Sequence, residues 1–567
     1  MANIGLTITE GVANGATGYS EPAKRNIGLL GQFIRGASFV PNRVESMEDF
    51  NVMFGGQSSS FYGPAIVKSI FDEAGNAQVT LYIARVTGSD TVAANGEVSI
   101  GETVESAKMN ATAAYKGIAD PGTWANGIKV ALYSYGYRVK DCFTLTITYK
   151  DTVETYSYNS LAEIQEAVNK VSKYAMITFD KEIEKTVLEA VEGTVTTLTT
   201  SKEVTGVGTS FKTSVAVGNV LYDTNGKIIG TVASIESDTA LTLTSKAFVA
   251  VNAASIKKRK DAVYELTMAN GVDGDVSESD VANPKGLACF DGYDIQILAT
   301  TEYHSLSMAK VLNEYLKEWK NPIGVINLPM DADEGTAELY AIELQTNDKS
   351  FMAGAYMGWA KVPDENGNPI LIPAIGPVLG AAYLRTPYIQ GDFIHIPPGG
   401  VDSLFNNVLD MVPQRLSQSV INRLVQQYSC NVIQYVENLG FYVGSSRTYS
   451  TNKLYQSIHI RLQTSYYVRA LNSKMRFAEQ KPNTPELKRE CLVELDTFFR
   501  TEYDNGALER SVDFSTAYKG ICDKSNNPAT QDRKLLNITV LWIPTECTES
   551  IQIALQRNDG VLTTTEV

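Results

Sequence analysis

Residues 429–471 read SCNVIQYVENLGFYVGSSRTYSTNKLYQSIHIRLQTSYYVRAL, and the organisation of the chain can be read outward from them. Val432, Gln434 and Val436 alternate against Ile433 and Tyr435, the period of a strand over Asn431–Val436. Asn438, Leu439 and Gly440 supply a turn, and Phe441–Gly444 a second short strand. Arg447 and Thr448 fall in a Ser/Thr-rich loop. From Tyr455 a long apolar and aromatic segment follows, carrying Arg461 and Arg469. A strand pair, an arginine-bearing loop and a following helix make a docking platform. Nothing in the stretch has the makeup of a reaction centre.

The whole chain has 567 residues, which calls for about three to five domains. Hydrophobic residues make up 44% and charged residues 20%, an ordinary globular composition. The net charge of −15 tells against nucleic acid or an anionic membrane as the main partner. The six cysteines form no CxxC pair and only three histidines are present, so neither a metal nor a cofactor is expected. Scattered thiols suit folding in a reducing cytoplasm. The first residues, MANIGLTITEGVANG, lack the basic and apolar regions of a signal peptide. The apolar stretch Ile370–Leu384 is broken by Pro373 and Pro377 and is too short to cross a bilayer.

Taken in order, residues 1–25 are small and polar, with Ile4, Leu6 and Ile8 alternating as one face of a short strand. Residues 26–99 read as an α/β unit: a strand over Ile27–Phe33, a helix capped by Ser46, a helix over Tyr62–Ala74 and a strand over Val79–Val86. Residues 100–194 are β-rich, with a helix whose face is Leu161, Ile164, Val168 and Val171. Residues 195–262 turn to Thr, Val, Gly and Ser, with the hairpin signal Asn225-Gly226, and read as an inserted β-barrel or sandwich.

Two motifs in this insert fail. Gly206-x-Gly208 has Phe211 where a dinucleotide fingerprint needs a third glycine, and Gly226-Lys227 is followed by Ile228 where a phosphate loop needs Ser or Thr.

Residues 263–400 alternate apolar strands (Ile295–Ala299, Ile323–Leu328, Ser350–Trp359) with helices, the pattern of a parallel sheet covered on both faces. His304 lies near a helix start, while His395 and His459 read as strand residues; each is expected to be a hydrogen-bonded structural histidine. Residues 401–549 form a last α+β domain, in which Thr484-Pro485 starts a helix with Leu487, Cys491, Leu495 and Phe498 inward, and Leu535–Ile543 is a strand. In residues 550–567, Ile551, Ile553 and Leu555 alternate again before a polar tail.

The order of these segments resembles the tail sheath proteins of contractile-tailed bacteriophages over nearly the whole chain. NIGLLGQFIRG, SMEDFNVMFG and VTLYIARV are similar to the sheath N-terminal unit, and PGTWANGIKVAL to its proline-glycine-tryptophan turn, with Ala125 where the family often has glycine. MANGVDGD at 268–275 and GWAKVPDENGNPILIPAIGPVLGAAYLRTPYIQGDFIHIPPGG resemble parts of a subtilisin-like sheath domain. The opening stretch and GICDKSNNPATQDRKLLNITVLWIPTECTESIQI resemble the sheath C-terminal domain. Residues 195–262 lie outside the common pattern and read as a decoration.

The resemblance implies hexameric rings stacked helically around a tail tube, with a baseplate and a tail terminator as further partners. It implies a virion protein assembled in the host cytoplasm, with no enzymatic activity, no direct nucleic-acid contact and no membrane insertion. It also implies terminal arms that add strands to neighbouring C-terminal domains. Ile4, Leu6, Ile8 and Ile551, Ile553, Leu555 would be the arm positions, and Val432, Ile433, Tyr435, Arg447 and Arg461 would belong to the receiving domain. Burying three aliphatic side chains contributes roughly 5–9 kcal/mol at most, whereas each ordered residue costs roughly 1–2 kcal/mol. One arm alone is therefore marginal. Two alternatives stay open: the sheath of a phage-like injection or secretion machine, and an α/β hydrolase with accessory β-domains.

Overall fold

The computed structural model describes residues 25–100, 107–134, 142–183, 188–282, 286–319, 321–413, 415–528 and 534–549. It is a mixed α/β multidomain chain built on one central sheet. The strands run Asn42–Val44, Leu81–Arg85, Ile27–Gly31, Ile297–Thr300 and Ile323–Val325, parallel except for the Asn42–Val44 edge. Ile27–Gly31 and Ile297–Thr300 are buried throughout, as strands covered on both faces must be. Residues 26–99 and 263–400, read from the sequence as separate units, thus contribute neighbouring strands to one sheet.

The sheet does not stop at Ile323–Val325. Parallel bridges Gly324↔Met352 and Asn327↔Tyr356 carry it to Tyr356–Met357, which pairs in parallel with Asn431–Val436. That strand pairs in turn with Gly440–Val443. The strand expected over Ser350–Trp359 is split into Tyr356–Met357 and Trp359–Pro363, because Gly358 turns the backbone to φ 119° between them. Helix starts follow local chemistry: the Ser46, Ser160 and Thr484 hydroxyls accept from the backbone N–H of Asp49, Glu163 and Leu487. Leu161, Ile164 and Val168 are buried as expected, but Val171 is exposed at its helix end.

The β-rich part holds two sheets around a core of its own, and Val263–Thr267 closes one of them by pairing with Lys129–Tyr133. The inserted module is a closed six-stranded barrel whose strands run from Glu189 to Arg259, so it begins before the expected boundary at 195. Val195, Phe211, Leu221, Ile229 and Leu243 are among the residues that fill its interior.

The segment after Tyr455 becomes the helix Ile458–Lys474, with 13 buried residues. His459 is therefore helical, not in a strand. A helix enclosed on every side loses the apolar stripe that marks its period, and IHIRL then mimics strand alternation. Polar side chains inside it bond along the helix: Gln463 donates to Tyr467 at 2.7 Å and Thr464 to the Ile460 carbonyl at 2.7 Å. His395 also lies outside any strand, in the turn-rich segment that leads to Pro397 and Pro398.

Candidate functional site

The Asn431–Val436/Gly440–Val443 hairpin is built as the sequence suggests, with Asn438 at φ 69° in its turn. Asn431 organises the arginine loop. Its side-chain nitrogen donates to the Gly354 and Arg447 carbonyls at 2.8 and 2.9 Å, and its oxygen accepts from Arg447 N–H at 2.8 Å. Gly354 is needed there, because a Cβ would come 1.7 Å from the Ser429 carbonyl oxygen.

The outer edge of this hairpin is occupied. Gly400 N–H donates to the Val443 carbonyl (2.9 Å), Phe405 N–H to the Phe441 carbonyl (2.8 Å), and Val443 N–H to the Ser403 hydroxyl (3.0 Å). The inner strand pairs on both sides at its start, where Asn431 and Val432 lie beside Tyr356 and Met357. A strand added at the Gly440–Val443 edge would therefore have to displace these bonds.

Of the residues named for the receiving domain, Val432 and Arg461 are buried and Tyr435 is exposed. Ile433 packs against the main core. Tyr435 is exposed, with the Arg415 guanidinium 4.6 Å above its ring and the Phe441 ring 5.0 Å away. Arg461 is 2% exposed and stacks on Phe351 at 4.7 Å, which leaves it no surface to offer a neighbour. Arg469 donates to Asn321 at 2.8 Å, and burial pulls its pKa down to about 10. Arg447 forms an ion pair with Glu549, just before the C-terminal segment. Ile4, Leu6, Ile8, Ile551, Ile553 and Leu555 lie outside the described residues.

An open hairpin exists elsewhere. Tyr518–Ile521 and Thr539–Trp542 form an isolated antiparallel pair. Ile543 N–H donates to the Ala517 carbonyl at 2.9 Å, which sets the phase of the ladder. Tyr518 and Gly520 on one strand, and Val540 and Trp542 on the other, then turn their backbone groups outward. Among the described residues no backbone group pairs with either edge. One face packs inward, with Trp542 edge-on to Tyr467 at 4.9 Å and Tyr518 stacked on Phe499 at 4.5 Å. The other face shows Leu541 (53% exposed) and Ile543, which are apolar and uncovered. The run Val540-Leu541-Trp542-Ile543 carried the signal: a strand apolar at both alternations needs cover on both faces.

The histidines form no catalytic arrangement among the described residues. His304 is buried against Trp359, and neither ring nitrogen makes a well-formed hydrogen bond, although the Thr301 backbone faces the ring. This departs from the hydrogen-bonded histidine expected there. His459 Nε2 lies 3.3 Å from the Thr545 carbonyl, and His395 stacks on Phe393. Burial first, and for His395 the Arg25 and Arg510 charges as well, pull both pKa values down to about 4.

At the carboxyl ends of the parallel strands, where α/β sheets commonly bind ligands, the chain places its own carboxylate. Glu302 accepts from Gln32 N–H (2.9 Å) and from Gly63 N–H (2.7 Å) at the start of the Gly63–Ala74 helix. Enclosure pushes its pKa up to about 7, against the lowering effect of these bonds. The anion position at that helix start is thus filled from within. Among the described residues no His/Cys/Asp/Glu cluster could hold a metal, and no helix is long and apolar enough to cross a membrane.

No protein-family model and no curated protein sequence matches the chain. Its structure is similar to the sheath tail protein of Listeria innocua, with a TM-score of 0.53 and 11% identity, over 92% of this chain and 96% of that one. The sheath tail protein of Desulfitobacterium hafniense matches at a TM-score of 0.47 and 12% identity, over 94% of this chain and 100% of that one. The helical sheath of the anti-feeding prophage in its contracted state matches at 0.40 and 18% identity, over 51% of this chain and 77% of that one. At these identities the likeness is one of fold, and nearly the whole chain has the fold of a tail sheath protein.

Proposed function

We propose that the chain is the structural subunit of a contractile sheath, stacking as hexameric rings around a tail tube and contracting to drive that tube through a host envelope. The observation that carries this reading is the Tyr518–Ile521/Thr539–Trp542 hairpin, a two-stranded sheet with both edges unpaired among the described residues and one face apolar and exposed. In a chain with a sheath fold, such a hairpin suits strand addition from neighbours, where backbone bonds give affinity and alternating side chains give register.

Residues 1–25 and 550–567 would supply the added strands through Ile4, Leu6, Ile8 and Ile551, Ile553, Leu555. The receiving site thereby moves from the hairpin at 431–443 to the open one at 518–542. Linked arms would hold while subunits turn, so that a change in one ring reaches the next. Contraction would then be a downhill transition of a metastable lattice.

The tube, baseplate and terminator as partners, the subtilisin-like character of 263–400, the division into seven segments, and the virion location all belong to this reading. Deletion of residues 1–20 tests it. Folded subunit without long sheaths in electron micrographs is the expected result, and sheaths of normal length would overturn the arm mechanism.

A further inference from the structure

The segment between the buried helical run Leu379–Arg385 and the hairpin at 431–443 carries exposed apolar side chains. Tyr388 and Ile389 end the helical run 375–389, and Ile389 is 57% exposed. Val401, 54% exposed, opens the Val401–Ser403 turn. The Gln390 amide donates to Asp402 at 2.7 Å and ties the two segments together beside these exposed apolar side chains. Phe393 joins them, exposed beside Asp392.

The chain itself arrives at this patch. Arg25 is buried, and its guanidinium donates to the Phe393 carbonyl at 2.6 Å and to Asp392 at 3.3 Å. Asn26 N–H is fixed on Gln296 at 2.8 Å. Arg25, the first described residue, thus sits at the rim of the patch. The residues just before it in sequence, Tyr19-Ser20-Glu21-Pro22-Ala23-Lys24, carry one aromatic and two small apolar side chains. Six residues reach up to about 20 Å, enough to cross a helix end and a short turn. Arg25 stays bonded to the Phe393 carbonyl at one end of the patch, so the local concentration of this segment is high without any second molecule.

We propose that the patch of Tyr388, Ile389, Phe393 and Val401 is the seat of this chain's own residues 19–24 in the free subunit. The seat holds the start of the N-terminal segment against its own subunit until a neighbour draws it away. Its effect on polymerisation rests on the sheath reading; the seat itself does not.

The test is hydrogen exchange on the free, full-length subunit, read on peptides covering residues 15–24, for the parent chain and for Tyr388→Asp/Ile389→Asp. The single variant Val401→Asp serves as a second probe, and all the substituted positions are exposed, so the fold should survive. The expected result is amide protection in the parent that falls at least tenfold in the double variant and is independent of protein concentration. Exchange at the unstructured rate in the parent overturns the proposal, as does protection that both variants leave unchanged. Protection that appears only as subunits associate assigns the patch to a neighbouring copy and equally overturns it. Failure of the parent chain to form sheaths, with the exchange pattern as expected, would count against the sheath reading alone.

Discussion

Arg447 grips Glu549: Arg447 Nε lies 3.2 Å from Glu549 Oε1, and Nη2 lies 2.5 Å from Oε2. The pair joins the arginine loop to the last described residue before the C-terminal segment, and the His459–Thr545 contact lies four residues upstream. These two points of attachment hold Thr545 and Glu549 against the helix and the arginine loop. Glu549 is half exposed, so the pair should contribute about 1 kcal/mol or less to global stability. Arg447→Glu should leave the melting temperature nearly unchanged while raising hydrogen exchange over 545–549, and Arg447→Glu/Glu549→Arg should restore protection. Unchanged exchange in the single variant would reduce the pair to an ordinary surface contact.

The open hairpin separates folding from assembly. Leu541→Lys places a charge on the uncovered face and should shift stability by only about 0.5 kcal/mol, yet it should abolish sheaths. Trp542→Ala on the opposite face removes the ring packed on Tyr467 and should cost roughly 2–4 kcal/mol in chemical denaturation. If Leu541→Lys assembles like the parent, the exposed face is not an interface.

The fold was legible where its physics is local. Ser46, Ser160 and Thr484 announce helices because a side-chain oxygen replaces the missing backbone acceptor at a helix start. The central strands are apolar runs because both faces are covered. Legibility failed where burial hides periodicity, as around His459, and where partners are distant in sequence. Nothing near Ile27 says that it pairs with Ile297, and nothing near Arg447 names Glu549. The candidate site was missed for a related reason. A strand's sequence shows what its faces need, but which edges remain free depends on neighbours such as Gly400 and Phe405.

Acid should act on two groups of opposite sign. Glu302 has its folded pKa raised to about 7 from an ordinary 4.5, so the folded state binds the extra proton between these values. Its contribution is fully present below pH 4.5 and is lost as pH rises through 7. His395 and His459 have folded values near 4 against an ordinary 6.5, so their contribution is present above 6.5 and lost as pH falls through 4. Glu302→Gln should therefore lose ground to the parent chain as pH falls from 7 to 4.5. The difference should stay below about 3 kcal/mol, since part of the side chain reaches water. Denaturation at pH 8, 6 and 5 reads both effects, and a constant difference between parent and variant would contradict the assignment of Glu302.

The barrel should be removable. Glu189 and Lys258 pair across its first and last strands, so the two ends of the module lie about 5 Å apart. Replacing 189–259 with a short glycine-serine link should leave the rest folded, because the barrel has its own core and Val263–Thr267 pairs independently with Lys129–Tyr133. A melting temperature within a few degrees of the parent is the expected outcome, and an unfolded remainder would show that the barrel supports the fold it is attached to.

Assembly into rings and cylinders is tested most directly by electron microscopy of negatively stained, purified protein. Concentrated protein, alone or mixed with a tail tube, should form striated cylinders built from six-fold rings, with a second, shorter and wider state on triggering. Monomers at every concentration, with no rings or cylinders even when a tube is supplied, would contradict it.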